Sequence, residues 1–362
     1  MTLQEITTLR LHNQQIITNH SGNIASLVKK MGALQAQDYA MAKWALGVRL
    51  NSIMDEAVNE AMASAAIIRT HVLRPTWHFV PASDLVWMTQ LSADRIKTSM
   101  RTRDRQLELT EDVFTSSNNI LATALADGKS MAREEIALLL QQKGIRTNEN
   151  RLSHLLMRAE LELIICSGAY QQGKPSFRLL ETYIPKPLAL SKEESLATLA
   201  KRYFSAHGPA TLADFVWWSG LSQREAMQGL AANQREFESL TIDGKTYWMS
   251  KDFCPDKNVS SQVHLLPAFD EYLISYRDRS AMIASHHNPK TIFTNGVFRP
   301  IVVVNGKVAG LWARTIKKDI VTVTVSMFDD FSDEIRFLIK KSVKSYGIFL
   351  GKIVDLKIEK TV

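Results

Sequence analysis

The chain has 362 residues, 45% hydrophobic and 22% charged, the balance of a folded globular protein of two or three domains and not of a disordered one. Lysine and arginine number 44 against 37 acidic residues, a net charge of +7, which is compatible with nucleic acid without requiring it. No apolar run reaches the roughly 20 residues of a membrane helix, and the two cysteines, Cys166 and Cys254, supply neither a disulfide framework nor a four-ligand zinc site.

Apolar spacing predicts helices over Leu3 to Ile17, Ile24 to Met31 and Asp55 to Ala65. The period then shortens to two. Ile67 to Leu73 and Thr76 to Val80 read as strands broken by Arg74-Pro75, and Ser83-Asp84 can cap a long helix to about Arg105. The pattern repeats. Ser130 can cap a helix at Ala132 to Gln142, Thr147 can cap Asn148 to Leu161, and strands Leu163 to Cys166 and Ser176 to Leu180 follow. It repeats again: helices Ser191 to Ala206, Leu212 to Trp218 and Ser222 to about Ala232 lead to a hairpin, Leu240 to Met249, turning at Asp243-Gly244. Helices followed by a hairpin form the winged-helix pattern.

The expected fold is therefore α+β. Three tandem winged-helix units, 1–110, 111–187 and 188–256, precede a C-terminal β-rich α+β module, 263–362. In that module Ile301 to Val304 and Lys307 to Trp312 flank Asn305-Gly306, a strong hairpin signal. Strands Ile320 to Ser326 and Ile353 to Ile358 bracket an amphipathic helix, Asp333 to Ser345, and the sheet is expected to be antiparallel. Lys257 to Gln262 reads as a linker, and Asp278 to Lys290, with His286-His287, as a polar loop with a solvated histidine pair.

Common enzyme motifs fail. Gly128-Lys129-Ser130 lacks the glycine a phosphate loop needs five positions earlier, where Thr123 stands. Asp270-Glu271, with Arg277 and Arg279 close behind, reads as a salt-bridged structural cluster in preference to an acid/base pair. Basic clustering is more informative. Arg95, Lys97, Arg101, Arg103 and Arg105 face one acid, Asp104, and the second unit's reading helix offers Asn148, Asn150, Arg151, His154 and Arg158. With Arg69 and Arg74 of the first hairpin, these are the candidate DNA contacts, although a solvated polar face explains the same residues.

Gln35-Ala36-Gln37 constrains its own backbone. On a helix, positions i and i+2 lie about 200° apart and cannot serve one site. In an extended segment they share a side, about 6–7 Å apart. If both amides act together, this stretch is non-helical or ends a helix.

Several stretches together resemble a known family. They are Gln35 to Tyr39, Ala42 to Leu46, Arg69 to Val80, His207 to Thr211, Trp218 to Leu221, Leu265 to Tyr272 and Gly310 to Trp312. In order, and over essentially the whole chain, they resemble the landmarks of a bacterial winged-helix family. It contains the AlkZ-like DNA glycosylases, which unhook interstrand crosslinks. The resemblance implies three winged-helix motifs around a concave basic surface. It places a glutamine–aliphatic–glutamine catalytic motif on Gln35, Ala36 and Gln37, with a hairpin histidine region around Thr76 and His78.

A glutamine amide has no pKa near 7 and cannot be a general base. It suffices where the leaving base is already cationic, as an alkylated purine is, because the transition state then needs only a held water and oxygen dipoles facing an oxocarbenium-like sugar. Asp38 can add negative charge or cap the helix that follows; His78 can protonate a base or be structural; Trp44 and Trp77 can stack on a base or fill the core. The expectation is a monofunctional DNA glycosylase for cationic alkylpurines. It would be a monomer on double-stranded DNA, without metal or cofactor, cytoplasmic and nucleoid-associated, with no membrane segment. The alternatives are a non-enzymatic winged-helix regulator, which would prefer one sequence, or a scaffold that has lost DNA binding.

Overall fold

The protein is described here from a computed structural model covering residues 2–17, 22–50, 52–170, 173–184, 188–252 and 261–360. Cys254 and most of the expected linker Lys257 to Gln262 lie outside the described residues. The chain is α+β, with long helices and several small sheets. It folds as two compact units. One joins residues 1–58, 197–218 and 222–362; the other holds 59–196 with 219–221. This division by compactness is not the sequential one that the element pattern suggests.

The first unit opens with the helix Leu3–Asn13, held at its start by a capping box between Thr2 and Glu5. The helix Ile24–Met31 follows, capped by Asn23 and ended by Gly32 at φ +81°. Next come the short strand Leu34–Gln35 and the helix Tyr39–Gly47. After the excursion into the second unit, the helices Leu212–Ser219 and Gln223–Ala232 lead into the hairpin Phe237–Ile242 and Lys245–Ser250. It turns at Asp243-Gly244, both at positive φ as a tight hairpin turn requires.

The C-terminal part of the unit contains a five-stranded sheet in the order Ile353–Lys360, Ile320–Met327, Lys307–Lys317, Ile301–Val304, Val263–Leu266. The expectation of an antiparallel sheet is corrected at one edge, because Ile353–Lys360 runs parallel to Ile320–Met327. The 18-residue helix Asp333–Leu350 lies between them in sequence, and parallel neighbours need a crossover of about that length. Alternate residues Val321, Val323, Val325 and Met327 are buried with Ile339, Val343, Tyr346 and Phe349 of that helix. The loop Asp278 to Lys290 is less polar than expected. Ala281, Met282 and Ile283 are buried, and of the histidine pair His287 is buried, stacked on Phe328 at 4.3 Å, while His286 is exposed.

The second unit contains the hairpin Ile67–His71 and Trp77–Pro81, paired antiparallel from Ile67 with Pro81 to His71 with Trp77. The helix Leu85–Gln106 follows, then Glu111–Ala124, capped by Thr110, which the sequence reading missed. The helices Arg133–Gln142 and Arg151–Leu161 pack with a three-stranded sheet in the order Ser130–Ala132, Ser176–Leu179, Ile165–Ser167. Two expected caps are corrected. Ser130 lies in a strand opposite Arg178, and Ala132 takes the cap position, its N–H bonded to Glu135. The helix expected from Asn148 begins at Arg151, because Asn150 sits in the left-handed region at φ 68°.

Gly347 is the tightest point between the C-terminal helix and its sheet: a Cβ there would stand 2.1 Å from Val354 Cγ2. Alanine normally favours a helix over glycine. Here Gly347→Ala is expected to lower stability by about 1–3 kcal/mol, because the β-branched Val354 cannot swing away. Thermal denaturation of the variant checks this, and adding Val354→Ala is expected to restore part of the loss.

Candidate functional site

The chain from Gly32 to Asp38 is extended or bent between two helices, the backbone expected of the Gln-x-Gln spacing if both amides act together. It is fastened along its length. His207 Nε2 bonds the Met31 carbonyl at 3.1 Å, so that nitrogen carries the proton in the tautomer this contact selects. The Gln35 N–H donates to Glu271 Oε1 at 2.7 Å. Asp38 accepts from the Met41 N–H at 3.1 Å and caps the helix Tyr39–Gly47. The two glutamines differ in access. Gln37 and Asp38 are exposed, Ala36 is fully buried, and Gln35 keeps only 5% of its surface.

Beneath this segment lies a layer of buried polar groups drawn from all three stretches of the unit. Glu271 Oε2 accepts from Trp218 Nε1 at 3.0 Å and from the Ser275 hydroxyl. Its neighbour Asp270 takes both arms of the Arg49 guanidinium at 2.8 Å, and both side chains are essentially inaccessible. Arg49 also donates to Gln14 and to the Ala45 carbonyl. Gln14 in turn donates to the Tyr276 hydroxyl and the Glu271 carbonyl. Arg10 lies 3.7 Å above the Tyr276 ring and 4.0 Å from Asp214. Burial pushes His207 down to about 3, so it stays neutral within this layer. The expected Asp270-Glu271 structural cluster exists, with a correction to its partners. Arg49, and not Arg277 or Arg279, pairs with Asp270; Arg279 bonds the Leu273 carbonyl and Arg277 offers its backbone N–H to Asp214.

In the second unit, His78 is fully buried, with Nδ1 bonded to the Thr76 carbonyl at 2.9 Å. Burial, then the charge of Arg74, pushes it down to about 3, so it carries no proton to give near neutral pH. The basic residues divide into two groups. Arg69 is buried, its guanidinium 4.3 Å above Trp77. Arg151 is buried and bonds the carbonyls of Arg146 and Leu107. Arg158 is paired with Glu111 and Glu162, and Lys97 lies 3.4 Å from Asp94. Arg74 and Arg95 are half-buried. Arg101, Arg103 and Arg105 at the end of Leu85–Gln106, and Asn148 and Asn150 before Arg151–Leu161, are exposed. A groove of about 800 Å³ runs past Lys97, Arg101, Arg105 and Arg158, but Asp94, Asp104, Glu108 and Glu111 also line it, so its charge is mixed.

Trp44 is core, bonded to the Leu265 carbonyl and set against Tyr346 and Phe349. Among the described residues no three His, Cys, Asp or Glu side chains gather as a metal ion would need, and no helix is long and apolar enough to cross a membrane. The sequence reading missed the parts that Arg10, Gln14, Arg49 and His207 play. Arg10 lies inside the helix Leu3–Asn13, Gln14 and Arg49 lie just past the helices Leu3–Asn13 and Tyr39–Gly47, and His207 ends the helix Lys192–His207, positions whose local sequence names no partner.

Comparison with known proteins agrees with this architecture. Residues 28–347 match the family model of AlkZ-like DNA glycosylases, and the chain belongs to that family. It is 22% identical over 346 residues to a protein of Streptomyces sahachiroi named an interstrand DNA cross-link repair glycosylase, covering 88% of this chain and 90% of that protein. The solved structure of Streptomyces sahachiroi DNA glycosylase AlkZ shares its fold, with a TM-score of 0.82, 20% identity and full coverage of both chains.

Two measurements check the electrostatics of these clusters. Asp270→Asn leaves the Arg49 charge buried without its partner and is expected to cost about 3–5 kcal/mol in chemical denaturation; an unchanged midpoint overturns the pairing. The ring signal of His78, assigned with a His78→Gln variant, is expected to stay flat by NMR from about pH 8 to about pH 5. Because the folded pKa is depressed, the unfolded chain binds the proton first, so His78 and His207 make stability fall as pH drops from 6.5 toward 3.

Proposed function

We propose that the protein is a monofunctional DNA glycosylase that hydrolyses the N-glycosidic bond of cationic alkylated purines, interstrand crosslinks among them. Three winged-helix units carry it on double-stranded DNA, and Gln35 and Gln37 act on the nucleotide. The observation that carries this reading is the fastened, non-helical segment that holds one buried and one exposed amide two residues apart. A carboxamide does not ionise, so whatever it contributes comes from placement and dipole.

The difference in burial supports a division of roles. Gln37 is exposed and holds the attacking water. Gln35 lies in a low-dielectric setting, where a carbonyl dipole acts more strongly on the positive charge developing on the sugar. His78 is neutral and inaccessible, so it does not protonate a leaving base. The base must therefore leave as a neutral molecule from a cationic precursor, which selects N7- or N3-alkylated purines over undamaged ones. The exposed Arg101, Arg103, Arg105, Asn148 and Asn150 meet phosphates and base edges in this reading.

Release of free base from an N7-methylguanine duplex tests this. Wild type is expected to release it and to leave unmodified purines in place. Gln37→Ala and Gln35→Ala are each expected to slow release by about 100- to 1,000-fold with duplex binding unchanged. With about six phosphates neutralised, log K is expected to fall with log salt at a slope of about −5, with little sequence preference. A wild type that releases nothing overturns the enzyme reading, and strong preference for one sequence favours a regulator.

A further inference from the structure

We infer that Glu271 is a positioning residue for the glutamine pair, setting where Gln35 and Gln37 stand without touching the substrate. The inference rests on the reading of that pair as catalytic. Its geometric basis is independent of that reading: a carboxylate with 1% of its surface accessible reaches across 236 residues of chain to take the Gln35 backbone N–H at 2.7 Å.

The other oxygen of Glu271 is anchored by the Trp218 indole N–H at 3.0 Å and the Ser275 hydroxyl, so the carboxylate cannot follow Gln35 if the strand shifts. Its own backbone is held as well. Asp270 caps the helix Glu271–Ile274 by accepting from the Tyr272 N–H at 2.8 Å, and the same Asp270 is locked to Arg49 by two bonds. The Glu271 carbonyl takes a bond from Gln14. The Trp218 ring lies 3.1 Å from where a Cβ on Gly32 would stand, and Gly32 is three residues before Gln35. Together with the grip of His207 on the Met31 carbonyl, the approach to the pair is fixed at both ends.

A general base tolerates small displacement when its pKa still drives proton transfer. An amide that works only by placement has no such reserve, and a misplacement of about 1 Å costs about 100-fold in rate. Glu271 therefore has more influence on the chemical step than on affinity, because duplex binding is spread over many phosphate contacts.

Single-turnover release of N7-methylguanine from duplex by the full-length protein separates rate from affinity. Glu271→Asp withdraws the carboxylate by one methylene and is expected to lower the single-turnover rate by about 100-fold, with half-saturating protein concentration unchanged. Glu271→Gln has one accepting oxygen for donors on both sides, so its NH2 opposes either the Gln35 N–H or the Trp218 indole N–H, and it is expected to lose rate as Glu271→Asp does, again with half-saturating protein concentration unchanged. Gly347→Ala, destabilised where the C-terminal helix meets its sheet, is expected to keep the wild-type rate, which separates positioning from a general loss of stability. A folded Glu271→Asp or Glu271→Gln at the wild-type rate overturns the inference, as does an equal fall in Gly347→Ala. If Gln37→Ala still releases base, the reading of the pair fails and the inference falls with it. If Gln37→Ala is inactive while Glu271→Asp is not, the inference fails alone.

Discussion

A buried carboxylate needs hydrogen-bond donors more than it needs any particular neighbour, because leaving it unpaired in a low-dielectric interior costs several kcal/mol. Glu271 meets that need with the Gln35 N–H, the Trp218 indole and the Ser275 hydroxyl. These groups come from widely separated parts of the sequence. Once Glu271 is inside, the strand Leu34–Gln35, the end of the helix Leu212–Ser219 and the turn Glu271–Ile274 have little freedom to move independently. The rest of the first unit is arranged around that constraint.

Asp270 and Arg49 extend it. Their bidentate pair, with Gln14 bridging to Tyr276 and to the backbone of Glu271, makes a connected polar layer and not a set of isolated contacts. Such a layer adds less to stability than an apolar core of equal volume, but it tolerates few alternative arrangements when its members are satisfied. The buried histidine His207 belongs to it as a neutral donor. This explains why a segment with almost no regular structure of its own can be held in a defined geometry.

For the proposed chemistry, that geometry matters more than acidity. Neither amide titrates, and His78 is held neutral. The cations at the end of the helix Leu85–Gln106 and the asparagines before Arg151–Leu161 are exposed. Several other basic residues on the same unit, among them Arg151 and Arg158, are occupied by carbonyls, carboxylates or rings. A count of Lys and Arg in a segment therefore overstates the charge available to a partner.

Local patterns in the sequence determined most of the elements. Period-two valines marked the strand Ile320–Met327, Asn305-Gly306 and Asp243-Gly244 marked hairpins, Asp38 marked a helix start, and joint action of Gln35 and Gln37 called for a non-helical backbone or a helix end. These were legible because each depends on neighbours a few residues away. Where the sequence reading failed, the deciding partner was distant. The strand Ile353–Lys360 is parallel because a helix returns the chain along the sheet, and His287 is buried because Phe328 lies against its ring. Which acid would lie under Gln35, and that Arg49 would neutralise Asp270 across 221 residues, was decided only by tertiary structure. Residue type reveals that a buried charge needs a partner, but only the folded chain brings one particular partner within hydrogen-bond reach.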